Sequence, residues 1–81
     1  MKTEYGYIQF VQMPIVGTGR KTHIFAVKNI RHGSQLGSIQ WDGAWRQYVF
    51  HAFPNTMYSA GCLADIQDFI GQAMRERKGK T

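Results

Sequence analysis

The 81-residue chain has few of the residues that usually carry chemistry: one cysteine, Cys62, two prolines, and three histidines spread along the sequence. A lone cysteine excludes an intramolecular disulfide framework and is the usage expected in a reducing cytoplasm. Long apolar runs are also missing. None exceeds five residues, whereas a membrane span takes roughly 18–20. Glu4, Gln9 and Gln12 interrupt any leader-like apolar stretch near the start, so no secretory signal is expected. Charged residues are only 19% of the chain against 43% apolar, which excludes disorder for most of it. The length allows one domain around one core.

The motifs that suggest catalysis fail on spacing. Gly17-Thr18-Gly19-Arg20-Lys21-Thr22 superficially suggests a phosphate loop. A Walker A places Lys directly after its second Gly; here Arg20 intervenes, and Pro14 stands where the first Gly belongs. The segment also leads into a strand, so no helix N-terminus would face an anion. Cys62, His51 and Asp65 could be imagined as a nucleophilic constellation. Cys62, however, adjoins an apolar stripe, where a free thiol packs as a small hydrophobe. His23, His32 and His51 have neither ligand spacing nor acidic neighbours. The expectation is a protein that is not an enzyme, with no catalytic residues, no metal and no cofactor.

Charge is the first positive feature. The formal net charge is +5, but it is clustered. Arg20, Lys21, Lys28 and Arg31 fall between Gly17 and Gly33, and residues 71–81 add Arg75, Arg77, Lys78 and Lys80 against Glu76. Residues 34–70 are net negative. Clustered cations raise the prospect of phosphate contacts; at the chain's end they also complement a helix dipole.

Residues 59–78 read as one helix. Ser59 can cap it, and Leu63, Ile66, Phe69/Ile70 and Ala73/Met74 recur at helical spacing as an apolar stripe. Pro54-Asn55-Thr56 reads as the turn before it. Three strands precede that turn, at 23–30, 36–41 and 46–53, joined by Arg31-His32-Gly33-Ser34 and by an Asp42-Gly43 hairpin. Gly33 is suited to positive φ. Residues 3–13 are a candidate fourth strand, followed by a basic loop. The fold class is α+β: an antiparallel meander of three strands, or four if residues 3–13 join, packed on one C-terminal helix. The organisation is an N-terminal extension over 1–22, a β-β-β-α domain over 23–78 and a tail over 79–81. A core this small is marginal alone, which makes a homodimer as expected as a monomer.

The most distinctive local segment is Trp41-Asp42-Gly43-Ala44-Trp45-Arg46-Gln47-Tyr48. Aromatic and Arg residues dominate binding hot spots and stack on bases. The binding candidates are therefore Trp45, Arg46 and Tyr48, with Arg20, Lys21, Lys28 and Arg31 from the basic cluster. The plainer reading is structural: Trp41 lies beneath the helix, Trp45 closes the hairpin, and Arg46 stacks over an aromatic face.

From about Thr22 to Ile70 the chain resembles small proteins encoded by bacteriophages and prophages. The residues that carry this are Val27-Lys28-Asn29, Leu36-Gly37-Ser38-Ile39-Gln40-Trp41, Trp45-Arg46-Gln47-Tyr48-Val49-Phe50 and Gly61-Cys62-Leu63-Ala64-Asp65-Ile66-Gln67-Asp68-Phe69-Ile70. The first 21 residues fall outside it. The resemblance implies a phage accessory protein acting in the host cytoplasm and supplies no catalytic residues. The expected strand–helix architecture also resembles the arm-type DNA-binding domain of tyrosine recombinases and the plant ethylene-response-factor domain. In those folds the sheet enters the major groove; here its exposed face would offer Lys28, Arg46 and Arg31. The leading expectation is a non-enzymatic module that binds a host or phage protein. DNA or RNA binding comes second, and a minor structural or assembly role third; no membrane partner is expected.

Overall fold

The computed structural model describes residues 1–14 and 22–79, the side chain of Lys78 excepted. Strands β1 Ile8–Gln12, β2 Phe25–Asn29, β3 Gln35–Asp42 and β4 Gln47–Ala52 precede the helix α1 Ala60–Gly79. The sheet order is β1-β2-β3-β4 with every neighbouring pair antiparallel. The fold is thus α+β, a four-stranded meander against a single helix. Residues from the first 22 are part of the sheet, because β1 pairs with β2 from Ile8↔Asn29 to Gln12↔Phe25.

Strand alternation divides the sheet into two faces. Phe10, Val27, Phe25, Ile39, Trp41, Tyr48 and Phe50 point toward the helix, and most are buried there. Gln9, Val11, Ala26, Lys28, Ser38, Gln40, Val49 and His51 share the face that the helix leaves uncovered, where Ala26 and Ser38 are nonetheless buried. The core is aromatic. Phe69 of α1 stacks on Phe10 with ring centroids 4.1 Å apart and meets Phe25 edge-on at 4.9 Å. Packed aromatic pairs of this kind add about 0.5–1.5 kcal/mol each beyond burial.

The helix begins where Ser59 predicts. The Ser59 hydroxyl accepts the Cys62 N–H at 3.1 Å, and its carbonyl accepts the Leu63 N–H at 3.0 Å. Cys62 is half-buried against the core. The apolar stripe needs one correction. The helix buries Ile66, Phe69 and Ala73 and rests Cys62 beside them, so the centre of its face runs through those positions. Leu63 lies roughly 90° from that centre at about 100° per residue and is 51% exposed.

The N-terminal segment is tied to the helix through Lys2 and Tyr5. Tyr5 donates its phenol to Asp68 Oδ2 at 2.6 Å and accepts from Gln72 Nε2 at 2.8 Å. Gln72 also bonds the Lys2 main chain at both its N–H and its carbonyl. Burial first, then the hydrogen bond and charge of Asp68, push the Tyr5 phenol up to about 12. Among the described residues no helix is long and apolar enough to cross a membrane.

Candidate functional site

Gly43 does not form the two-residue turn that Asp-Gly often marks. The hairpin loop spans residues 43–46, closed by the Asp42↔Gln47 pair. The Asp42 carboxylate accepts the Ala44 N–H at 2.9 Å and the Trp45 N–H at 3.0 Å, while the Arg46 N–H reaches the Asp42 carbonyl at 2.7 Å. The positive φ falls on Arg46, at 57°, and not on Gly43. A short polar side chain that bonds its own loop in this way fixes a tip that would otherwise fray.

Trp45 stands on this tip with 69% of its surface exposed, and Arg46 beside it is exposed as well. Arg46 does not stack on an aromatic ring. That place is taken by Arg77, whose guanidinium carbon lies 3.9 Å from the centroid of the Trp41 ring. Trp41 is half-buried, edge-on to Tyr48 at 5.4 Å. The roots of the hairpin are therefore in the core and its tip is in water.

Tyr48, expected among the binding residues, is only 4% exposed. It pairs with Trp41 on the helix-facing side of the sheet. Its N–H meets Met74 Sδ at 3.4 Å, and its phenol oxygen accepts the His23 N–H at 3.4 Å. The phenol belongs to the core, which removes it from any docking surface. The remaining candidates do not converge. Lys28 lies half-buried on the uncovered face beside Gln9. Arg31 is exposed in the β2–β3 turn, where Gly33 takes φ 72°. In a meander that turn and the β3–β4 tip lie at opposite ends of the sheet. Arg20 and Lys21 lie outside the described residues.

Sequence reasoning missed Arg77 as the cover of Trp41. It also missed the exposed apolar residues of the β4–α1 connection, Phe53 and the 91% exposed Met57. The signal for the connection was available: Met57 precedes the Ser59 cap and follows a turn, so no element carries it inward. Among the described residues, no group of three His, Cys, Asp or Glu side chains could hold a metal ion.

No family model matches the sequence, and no solved structure matches it. A curated protein does: an uncharacterised 9.3 kDa protein of Acholeplasma phage L2 is 39% identical over 72 residues, 89% of this chain and 90% of the relative. Coverage of that extent leaves at most nine residues outside, so the similarity reaches into the first 21 residues. A match this long over both proteins is a family relationship, and the chain belongs to the family of that small phage protein.

Proposed function

We propose that the protein is a non-enzymatic phage accessory module that binds a host or phage protein through the β3–β4 hairpin tip. The observation that supports this is the exposed Trp45 on a loop already fixed by Asp42. Leaving a large apolar side chain in water forgoes roughly 2 kcal/mol of burial. A partner that covers the indole recovers it, and the rigid loop lowers the ordering cost of binding. Arg46 adds a planar donor at the same place. The cytoplasm of the infected cell is the proposed setting, consistent with one unpaired cysteine. The motif that runs from Leu36 through Trp41 and Trp45 to Cys62 and Ile70 is, in this reading, mostly scaffold.

A second reading, binding of DNA or RNA, is favoured by one observation. The uncovered sheet face carries Lys28, Gln9, Gln40 and His51, and of its carboxylates Asp42 is committed to the hairpin amides while Glu4 lies at the β1 edge beside Gln9. The two readings separate in one experiment. The tagged protein is recovered from infected cells with and without nuclease, and any captured protein is purified and titrated. Protein binding predicts capture in both arms and at least about a tenfold weaker Kd for Trp45→Ala. Capture lost to nuclease, with affinity falling steeply with salt, supports the nucleic-acid reading. A Kd unchanged in both Trp45→Ala and Arg46→Ala would refute the hairpin as the reader.

A further inference from the structure

The two edges of the sheet are treated differently. On β1, outward-facing groups of the first half are taken up by the chain's own start: Thr3 O accepts the Phe10 N–H at 2.8 Å, Tyr5 N–H donates to Ile8 O at 2.9 Å, and Glu4 bridges Gln9. That edge is covered over residues 8–10, and by a segment carrying Lys2 and Glu4. On β4 the odd-numbered residues face β3, as the Phe53 N–H to Leu36 O bond at 2.9 Å and the ladder register show. Tyr48, Phe50 and Ala52 therefore turn their main-chain groups outward. The Tyr48 N–H is taken by Met74 Sδ. Among the described residues, none accepts a hydrogen bond from the Phe50 or Ala52 N–H.

This open edge also lies in the longest charge-free stretch of the chain. From Gln47 to Ala64 there is no Asp, Glu, Lys or Arg. Proteins usually protect an exposed edge with lysine, proline or a bulge. β4 contains no charged residue and no proline, and its pairing with β3 is regular. The exposed Phe53 and Met57 follow it directly.

We propose that β4 is a self-association edge, and that its occupant is a second copy of this chain. Two copies of a +5 protein repel each other over most of their surfaces; an uncharged strand lets them meet without placing like charges opposite one another. The edge is self-complementary. About a twofold axis at Phe50, each Phe50 N–H donates to the other copy's Phe50 carbonyl. Each Ala52 N–H donates to the other copy's Tyr48 carbonyl, and each Tyr48 N–H exchanges its Met74 Sδ for the other copy's Ala52 carbonyl, which requires the Met74 side chain to swing aside. Val49 then faces His51 of the second copy on the uncovered side, so no charged pair is forced together. The two sheets become one continuous antiparallel sheet, and the hairpin tips carrying Trp45 remain outside it. This inference is independent of what Trp45 binds.

The test is sedimentation and light scattering from low micromolar to about 200 µM chain, with amide hydrogen exchange on the same samples. The expected result is a species of twice the 9.3 kDa chain mass, with protection of the Phe50 and Ala52 amides rising with concentration. Val49→Lys and Ala52→Pro should each raise the dimer Kd by at least about tenfold. Ala52→Pro removes an outward donor that no ladder bond uses, and circular dichroism confirms that each variant folds. Gln9→Lys adds the same charge beside the covered edge and should leave the dimer intact. A monomer across the range, fast exchange at both amides in a dimer, or a dimer insensitive to both β4 variants would overturn the proposal.

Discussion

Replacing Gly37 by alanine should remove a large part of the protein's stability. Gly37 lies on the helix-facing side of β3, between Val27 and Ala52 in the ladder. A Cβ built there overlaps the His51 carbonyl oxygen and comes within 2.8 Å of Phe50 Cε1 and 3.2 Å of Ala52 Cα. Two of those three obstacles are β4 backbone, and His51 is held by its pairing with Ser38. Overpacking costs about 1–3 kcal/mol, and an immovable backbone places this case toward the top. Relief of glycine's strand penalty returns about 0.5–1 kcal/mol, leaving a net loss near 2 kcal/mol. A domain of this length is stable by about 4–12 kcal/mol. The melting temperature should therefore fall by roughly 8–16 °C. Urea unfolding followed by circular dichroism and tryptophan fluorescence measures the loss directly. A Gly37→Ala protein as stable as the parent would refute the close approach of β3 and β4. Repeating the substitution in a Phe50→Ala background locates the obstacle. The ring's removal leaves the His51 carbonyl in place, so most of the cost should persist; its disappearance would assign the clash to the ring alone.

Two further outcomes follow from the same reasoning. The Tyr5 phenol is pushed up to about 12, so the fold favours its protonated form: that stabilisation is complete below pH 10 and is lost as pH rises through about 12. Tyr5→Phe should remove this alkaline component from the stability–pH curve, read as the difference between the two proteins in denaturant. Arg46 holds a left-handed φ of 57° that costs a non-glycine residue about 1–2 kcal/mol. Arg46→Gly should accordingly raise stability by about 0.5–1 kcal/mol in thermal unfolding, the remainder being offset by glycine's greater unfolded-state entropy.

The strands and the helix were legible because each has a period matched to its surroundings. Residues 36–41 alternate around Ile39, and Ile66, Phe69 and Ala73 recur at helical spacing. Gly33 could be read as a positive-φ position because its turn offers no cheaper residue for that role. The same alternation also contained the burial of Tyr48, which shares parity with Phe50 and lies opposite Trp41; the aromatic content of the hairpin masked it. What sequence could not supply were contacts between distant residues. Arg77 covers Trp41 from 36 positions away, and Gln72 bonds Lys2 across 70. Neither pairing has a local signature. Arg46 in place of Gly43 at positive φ is a similar case: the Asp42 side chain selects a four-residue loop, and Asp-Gly alone does not report which loop length is chosen.

These distant contacts bear on the candidate site. A row of aromatic rings runs from Tyr5 through Phe10, Phe69, Phe25 and Tyr48 to Trp41, each ring within 6.1 Å of the next. It is covered at one end by Lys2, 4.5 Å above Tyr5, and at the other by Arg77 above Trp41. The row joins the N-terminal segment, all four strands and the helix into one packed unit, and its last two members are the roots of the hairpin. Trp45 is thus held out from a rigid base. Its removal touches none of these contacts, so Trp45→Ala should leave thermal stability within about 0.5 kcal/mol of the parent while weakening partner binding at least about tenfold. Trp41→Ala should do the reverse to stability, since it uncovers Tyr48 and leaves Arg77 without its ring. If the two tryptophan variants instead lost stability equally, the tip would be part of the core's packing, and its exposure would no longer argue for a partner.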